Sequence, residues 1–228
     1  MKISRFIISL ILISFSCETS VNVDPPNFPL GGSTCLPGQG AIVSETRSLG
    51  NFNSIDNFVF ADIFITQGPQ KDVIIEAQQN ILEVLNTVVA SDELKLTLDQ
   101  CANITEPIKV HITIPEIRSL GLTGVGDVIA QNEFNLTDLT VSLTGLGDFD
   151  LQGTATTTDI TMTGLGDVKA FDLNADVCDI NMTGTGDAEV FVNNELNVTM
   201  TGTGTVFYKG DPAITSNISG SGSIVDSN

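Results

Sequence analysis

The sequence predicts an all-β fold, a parallel β-helix with coils of about 18–21 residues, and three features carry that expectation. One phrase recurs through the C-terminal half: Leu122-Thr-Gly-Val-Gly-Asp127, Leu143-Thr-Gly-Leu-Gly-Asp148, Met162-Thr-Gly-Leu-Gly-Asp167 and Met182-Thr-Gly-Thr-Gly-Asp187, with looser copies at 200–205 and 218–223. The first glycines are Gly124, Gly145, Gly164, Gly184, Gly202 and Gly220, so successive steps are 21, 19, 20, 18 and 18 residues. A period near twenty marks a solenoid, whose units bury their apolar faces only against their neighbours. Second, apolar columns precede each corner at Leu120, Val141, Ile160, Ile180 and Val198, then at Leu122, Leu143, Met162, Met182, Met200 and Ile218. Polar residues stand between them, and alternation with period two means a half-buried strand. Third, another apolar column follows the corner at Val128, Phe149, Val168, Ala188, Val206 and Ile224. Two strands per repeat, joined by Gly-x-Gly, exclude a helical solenoid.

The corner residues have a local role before any function is invoked. Glycine lets the backbone turn sharply between two strands without a Cβ clash. Asp or Thr directly after the corner can accept a backbone N–H and hold the bend.

Taken in order, the chain opens with an export signal over 1–16. Lys2 and Arg5 form its charged start, and the apolar run from Phe6 to Phe15 is too short to span a membrane. Small residues before Cys17 resemble a lipoprotein signal, with Cys17 becoming the lipidated first residue of the mature chain, although Ser14 stands where an aliphatic residue is usual. Residues 17–40, rich in Pro, Gly, Ser and Asn, read as a tether. From Ala41 the pattern is β, and no linker separates it from the repeats, so 41–228 is expected to be one domain whose early coils are irregular. Strands are expected over 42–49, 54–61, 63–66, 73–77, 94–98, 110–114 and 117–120. The apolar spacing of 81–89 predicts a short helix or amphipathic turn.

Lys and Arg total 9 against 28 acidic residues, a formal charge of −19, which argues against nucleic acid as a partner and limits any membrane contact to the lipid anchor. There is no Trp and one Tyr, so sugar-stacking platforms are scarce. Export places the cysteines in an oxidising compartment. Cys178 falls in an inward column with Leu139 and Leu196, as a buried small apolar residue. That leaves Cys35 and Cys101 as the expected disulfide, tying the N-terminal segment down.

The stretch from Arg47 to Asp56, the Ile63–Gly68 strand and the Thr-Gly-x-Gly-Asp repeats together resemble the "putative auto-transporter adhesin, head GIN domain" family, over roughly residues 41–225. The resemblance implies a right-handed β-helix and a surface or periplasmic lipoprotein. It brings no catalytic residues with it.

Two columns carry chemistry. Asp127, Asp148, Asp167 and Asp187 would stack about 4.8 Å apart, where like charges repel unless a cation or hydrogen-bond donors lie between them. Calcium is the functional reading of that column, and turn-capping carboxylates are the structural one. The calcium-binding nonapeptide of other β-helices places its Asp differently and at half this period. Thr123, Thr144, Thr163, Thr183 and Thr201 form an exposed ladder, explained by strand propensity on a solvent face. Every aspartate of the column belongs to a repeat, whereas a catalytic pair should break it. His111 reads as a surface strand residue, and no nucleophile–base–orienter set is present.

The expected function is therefore a non-enzymatic cell-envelope lipoprotein with an adhesin-like role, its ligand a carbohydrate (polysaccharide) or a surface protein. The alternatives are a polysaccharide-degrading β-helix enzyme and a structural or signalling accessory without its own ligand. An open final coil also allows end-to-end stacking into a homo-oligomer.

Overall fold

The computed structural model describes residues 35–228. The signal segment 1–16, Cys17 and the tether up to residue 34 lie outside the described residues. In chain order the strands are β1 (Leu36–Pro37), β2 (Ile42–Arg47), β3 (Ser54–Asn57), β4 (Ala61–Gln67) and β5 (Val73–Gln78), followed by the one-turn helix α1 (Gln79–Leu82). Then come β6 (Leu85–Ala90), β7 (Glu93–Leu98), β8 (Ala102–Asn103), β9 (Ile108–Ile114), β10 (Ser119–Leu122) and β11 (Val128–Ala130). The regular coils are built from β12 (Phe134–Leu143), β13 (Phe149–Met162), β14 (Val168–Met182), β15 (Ala188–Met200), β16 (Thr203–Lys209), β17 (Ala213–Ile218) and β18 (Ser221–Asp226). Among the described residues no helix is long and apolar enough to cross a membrane.

The regular part is a stack of parallel coils in strict register. Leu120 pairs with Val141, Val141 with Ile160, Ile160 with Ile180 and Ile180 with Val198, and all five side chains are buried. The columns headed by Leu122 and Val128 are buried likewise as far as Met200 and Val206. The corners are also in register, bridged from Val125 through Leu146, Leu165 and Thr185 to Thr203. Register shifts only away from the corners, between Asp150 and Gln152 and again between Ala170 and Val177. That far side absorbs the differences in step length, so the Thr-Gly-x-Gly-Asp phase is kept. Leu139, Cys178 and Leu196 share an inward column as expected, and Thr158 stands in it too, buried with its hydroxyl unpartnered among the described residues.

The early coils belong to the same solenoid, but they are stacked out of sequence order. The β3–β4 coil lies directly against β10–β11, and β7 and β9 lie outside it, also in parallel. Antiparallel strands then finish that end: β6 on β7, β5 on β9, and β2 on β5. The expected helix over 81–89 is corrected. Only the turn Gln79–Leu82 is helical, and Leu85–Ala90 is a hairpin strand paired with β7. Ser91 and Asp92, both at positive φ (53° and 61°), make the two-residue loop whose twist suits a hairpin. The end of the expected tether is corrected too. Cys35 and Cys101 form a disulfide with Cα atoms 4.6 Å apart, and β1 pairs with β8, so residues 35–40 belong to the folded body.

Close approach between coils explains the two glycines better than turning alone. Gly166 has φ +140°, a left-handed value favouring glycine, but Gly164 does not. A Cβ on Gly164 would overlap the backbone carbonyl of Gly145 in the coil below. We expect Gly164→Ala to lower stability by about 3 kcal/mol or more, because rigid backbone must move. Gly50→Ala, where a Cβ meets nothing within 4 Å, should stay within about 0.5 kcal/mol of wild type. Urea unfolding of the two variants checks both values.

Candidate functional site

The corners stack into one long edge that carries three parallel columns. The first holds Thr123, Thr144, Thr163, Thr183 and Thr201, one per coil and all exposed, as the alternation predicts. Its hydroxyls form a loose ladder. Thr163 Oγ1 lies 3.4 Å from Thr144 Oγ1, and the Thr123 hydroxyl donates to Asp56 Oδ1 at 3.1 Å. Burial pushes the Asp56 carboxyl above its ordinary value, and the Thr123 hydrogen bond only partly opposes this.

The last column is the aspartate column, and its role is not confined to a local turn. Asp127 Oδ1 accepts the backbone N–H of Asp148 at 3.0 Å, Asp148 Oδ1 that of Asp167 at 2.9 Å, and Asp167 Oδ1 that of Asp187 at 2.8 Å. Asp187 Oδ1 closes the series on Thr205 N–H at 2.7 Å. Each carboxylate thus caps the next coil, and the donors between stacked charges offset the repulsion expected of them. The series begins one coil earlier than the repeat, with Asp62 Oδ1 accepting from Asp127 N–H at 3.1 Å. Asp62 was legible only by spacing: it follows the inward Ile55 by seven residues, as Asp127 follows Leu120. Its corner has no glycine, and the buried Asn57 holds the turn instead. Asn57 donates to the Ala61 carbonyl at 2.9 Å and accepts from Val59 N–H at 3.0 Å.

Among the described residues no group of three or more His, Cys, Asp or Glu side chains is arranged to hold a metal ion. The cation on the column is Lys169, whose ammonium donates to Asp148 Oδ2 at 2.6 Å. Burial alone would raise the Asp148 carboxyl, but Lys169 and the Asp167 N–H outweigh it and hold its pKa below the ordinary carboxylate value.

Between threonines and aspartates runs a column that the sequence reading did not single out, the variable residue of each Gly-x-Gly. Val125, Leu146 and Leu165 stand there in register, and Leu146 and Leu165 are 46% and 53% exposed. Phe58, at the Thr123 level of the coil below, extends the apolar patch. Thr185 and Thr203 continue the column as polar residues.

Other candidates settle into structural places. His111 stacks on Phe64 with ring centroids 4.9 Å apart, and its Nε2 lies 3.9 Å from Glu76. Cys178 is buried, and burial together with Asp179 and Asp159 pushes its thiol up to about 12, which keeps it protonated and unreactive. A polar recess of about 300 Å³ opens where the irregular coils meet the regular ones, lined by Gln67, Glu116, Arg118, Asn135, Thr137 and Asp138 among others.

The aspartate series makes a testable demand. Asp167→Ala should cost about 1–2 kcal/mol, the value of a charge-assisted bond to a backbone donor, whereas Asp167→Asn, which keeps an acceptor, should cost clearly less. Because the folded pKa of Asp148 is lowered, its stabilisation is present above the unfolded value of about 3.9 and is lost as pH falls through the folded one. Lys169→Gln should flatten that acid limb, as read from urea midpoints between neutral pH and pH 3.

Comparison with known proteins agrees with this architecture. Residues 51–212 match the family described as "Putative auto-transporter adhesin, head GIN domain". A solved "putative adhesin" from Bacteroides fragilis superposes with a TM-score of 0.68 at 23% identity, over 84% of this chain and 100% of that one. A "putative adhesin" from Parabacteroides merdae gives a TM-score of 0.52 at 18% identity, over 85% of this chain and 99% of that one. A "putative lipid binding protein" from Parabacteroides distasonis gives 0.50 at 20% identity, with 85% and 99% coverage. These likenesses bear on the fold alone. No curated protein matches. The match of its family profile over most of the chain places this protein in the putative auto-transporter adhesin, head GIN domain family.

Proposed function

We propose that this chain is a non-enzymatic binder of the cell envelope, exported and anchored through a lipid on Cys17, that holds an extended ligand along its corner edge. The exposed aliphatic column carries the reading. Val125, Leu146 and Leu165 take no part in the core, and leaving large apolar side chains in water in a row costs solubility without stabilising the fold. The threonine ladder beside them supplies hydroxyls at the same spacing, so one edge offers apolar and hydrogen-bonding contacts in repeat. A solenoid edge of this kind suits a ligand that is itself extended.

A surface protein fits this edge best, because its centre is aliphatic and the whole chain has no Trp and one Tyr for stacking sugar rings. The polar recess around Gln67, Arg118 and Asn135 favours a polysaccharide as the second reading, since its walls are mostly donors and acceptors, with Pro115, Ile117 and Leu136 between them. In the aspartate column Oδ1 of each member serves the next coil, which favours the turn-capping reading over the calcium one.

The double variant Leu146→Thr with Leu165→Thr tests the edge. Threonine already occupies this column at Thr185 and Thr203, so the fold should be kept. Retention of wild type on immobilised envelope proteins, and separately on a polysaccharide panel, is compared with the variant. We expect retention on protein to fall about tenfold or more, with no reducing ends released from any polysaccharide. Unchanged retention in the variant would remove the edge from the account, and release of reducing ends would replace the binder with an enzyme.

A further inference from the structure

The two ends of the solenoid are finished differently. At the end formed by the early coils, antiparallel strands cover the parallel stack and Arg47 caps two carbonyls, while among the described residues β2 and β6 keep free outer edges. Arg47 Nη1 donates to the Leu85 carbonyl at 2.7 Å and Nη2 to the Leu82 carbonyl at 3.0 Å. These are the ordinary means of blunting a strand edge: an irregular cover and a charge placed on the free carbonyls.

The other end has neither. Among the described residues β17 pairs only with β15, and β18 only with β16, so each presents one whole edge of unpaired N–H and C=O groups. Every residue of β17 is exposed. Ile214 and Ile218 continue the inward columns of Leu196 and Met200, yet they are 41% and 38% exposed, since among the described residues no coil lies on them. Ile218 was expected from its column to be buried, and the missing neighbour is the reason it is not. No proline, lysine or arginine interrupts the stretch from Ala213 to Val225, and it contains no charged side chain at all, in a chain of net charge −19. A second copy of this acidic molecule meets no like charge on this stretch, where unsatisfied backbone and apolar side chains lie together.

We propose that this end is the interface of a two-fold dimer, in which β17 of one copy pairs antiparallel with β17 of a second copy. The same patch meets itself, so Ile214 and Ile218 of both copies are covered and the free edge groups are used. The assembly closes at two because the contact is isologous: both copies use the same β17 edge, and pairing consumes it.

Sedimentation velocity of the full chain over a concentration series tests this, alongside the variant Thr215→Lys with Asn217→Lys. Both residues are exposed on β17, so lysines there leave the monomer fold intact but face their own copies across the two-fold axis. The expected result is a reversible dimer for wild type and dissociation about tenfold or more weaker for the variant, with unchanged circular dichroism and melting. Hydrogen exchange at the β17 amides should slow as wild type dimerises. A wild type that stays monomeric, a dimer indifferent to the lysines, or open-ended oligomers would each overturn the proposal. So would β17 amides protected at the lowest concentration, since another part of the chain would then cover the edge. None of these outcomes depends on what the corner edge binds.

Discussion

Each regular corner of this protein up to Thr205 is fastened to the next by a carboxylate that accepts a backbone N–H across the gap, and that bond satisfies a donor the corner would otherwise strand. A parallel ladder satisfies the strand backbone, but at a sharp corner the amide after the second glycine turns out of the ladder. Without an acceptor, that partly buried donor would cost about 1–3 kcal/mol in every coil. Asp62, Asp127, Asp148, Asp167 and Asp187 supply the acceptor five times in succession. The glycines belong to the same device. With no Cβ, the backbones at the corner come close enough for a short side chain such as aspartate to reach the next coil. Repetition of the two parts keeps successive corners in one register, while the glycine-free corner at Asn57 and the Thr205 corner keep it by other means.

This arrangement divides the corner into a structural side and a free side. The aspartates look acidic and exposed in sequence, yet their nearer oxygens are occupied, and Lys169 takes the outer oxygen of Asp148. The threonines and the aliphatic column hold nothing together in the same way. Thr185 and Thr203 replace leucine in that column with no change in register, so the backbone is indifferent to what stands there. A position free to vary, yet occupied by leucine where it is most exposed, is where recognition is best sought. Family membership and the free column therefore point to binding by independent routes, one from the whole chain and one from three side chains.

Much of this was legible because a β-helix writes its contacts as columns. Inward residues recur at fixed offsets from Gly124, Gly145, Gly164 and Gly184, so reading down the columns amounts to reading the core. The period also gave the exposed threonines. What escaped the sequence broke one of those regularities. Asp62 belongs to a corner without glycine, where Asn57 does their work from inside. The hairpin at Ser91 and Asp92 uses φ > 0 at residues other than glycine, so Leu85–Ala90 kept the apolar spacing of a helix while pairing as a strand. The stacking of 93–114 outside 54–67 has no local signal at all, because any coil with the right columns can lie on either neighbour. The aliphatic column was hidden by its own position, the one place in the phrase that varies.

The account stands most directly on the amides of Asp148, Asp167, Asp187 and Thr205, and native-state hydrogen exchange reads them one by one. These N–H groups sit at corners on the surface, where turn amides ordinarily exchange fast through local opening. If the carboxylates fasten the coils, the four should exchange as slowly as the buried strand amides of Val141 and Ile160, and only through opening of the whole stack. Exchange at the rate of ordinary surface turns would contradict the account and leave the aspartates as decoration on a solenoid held by its apolar columns alone.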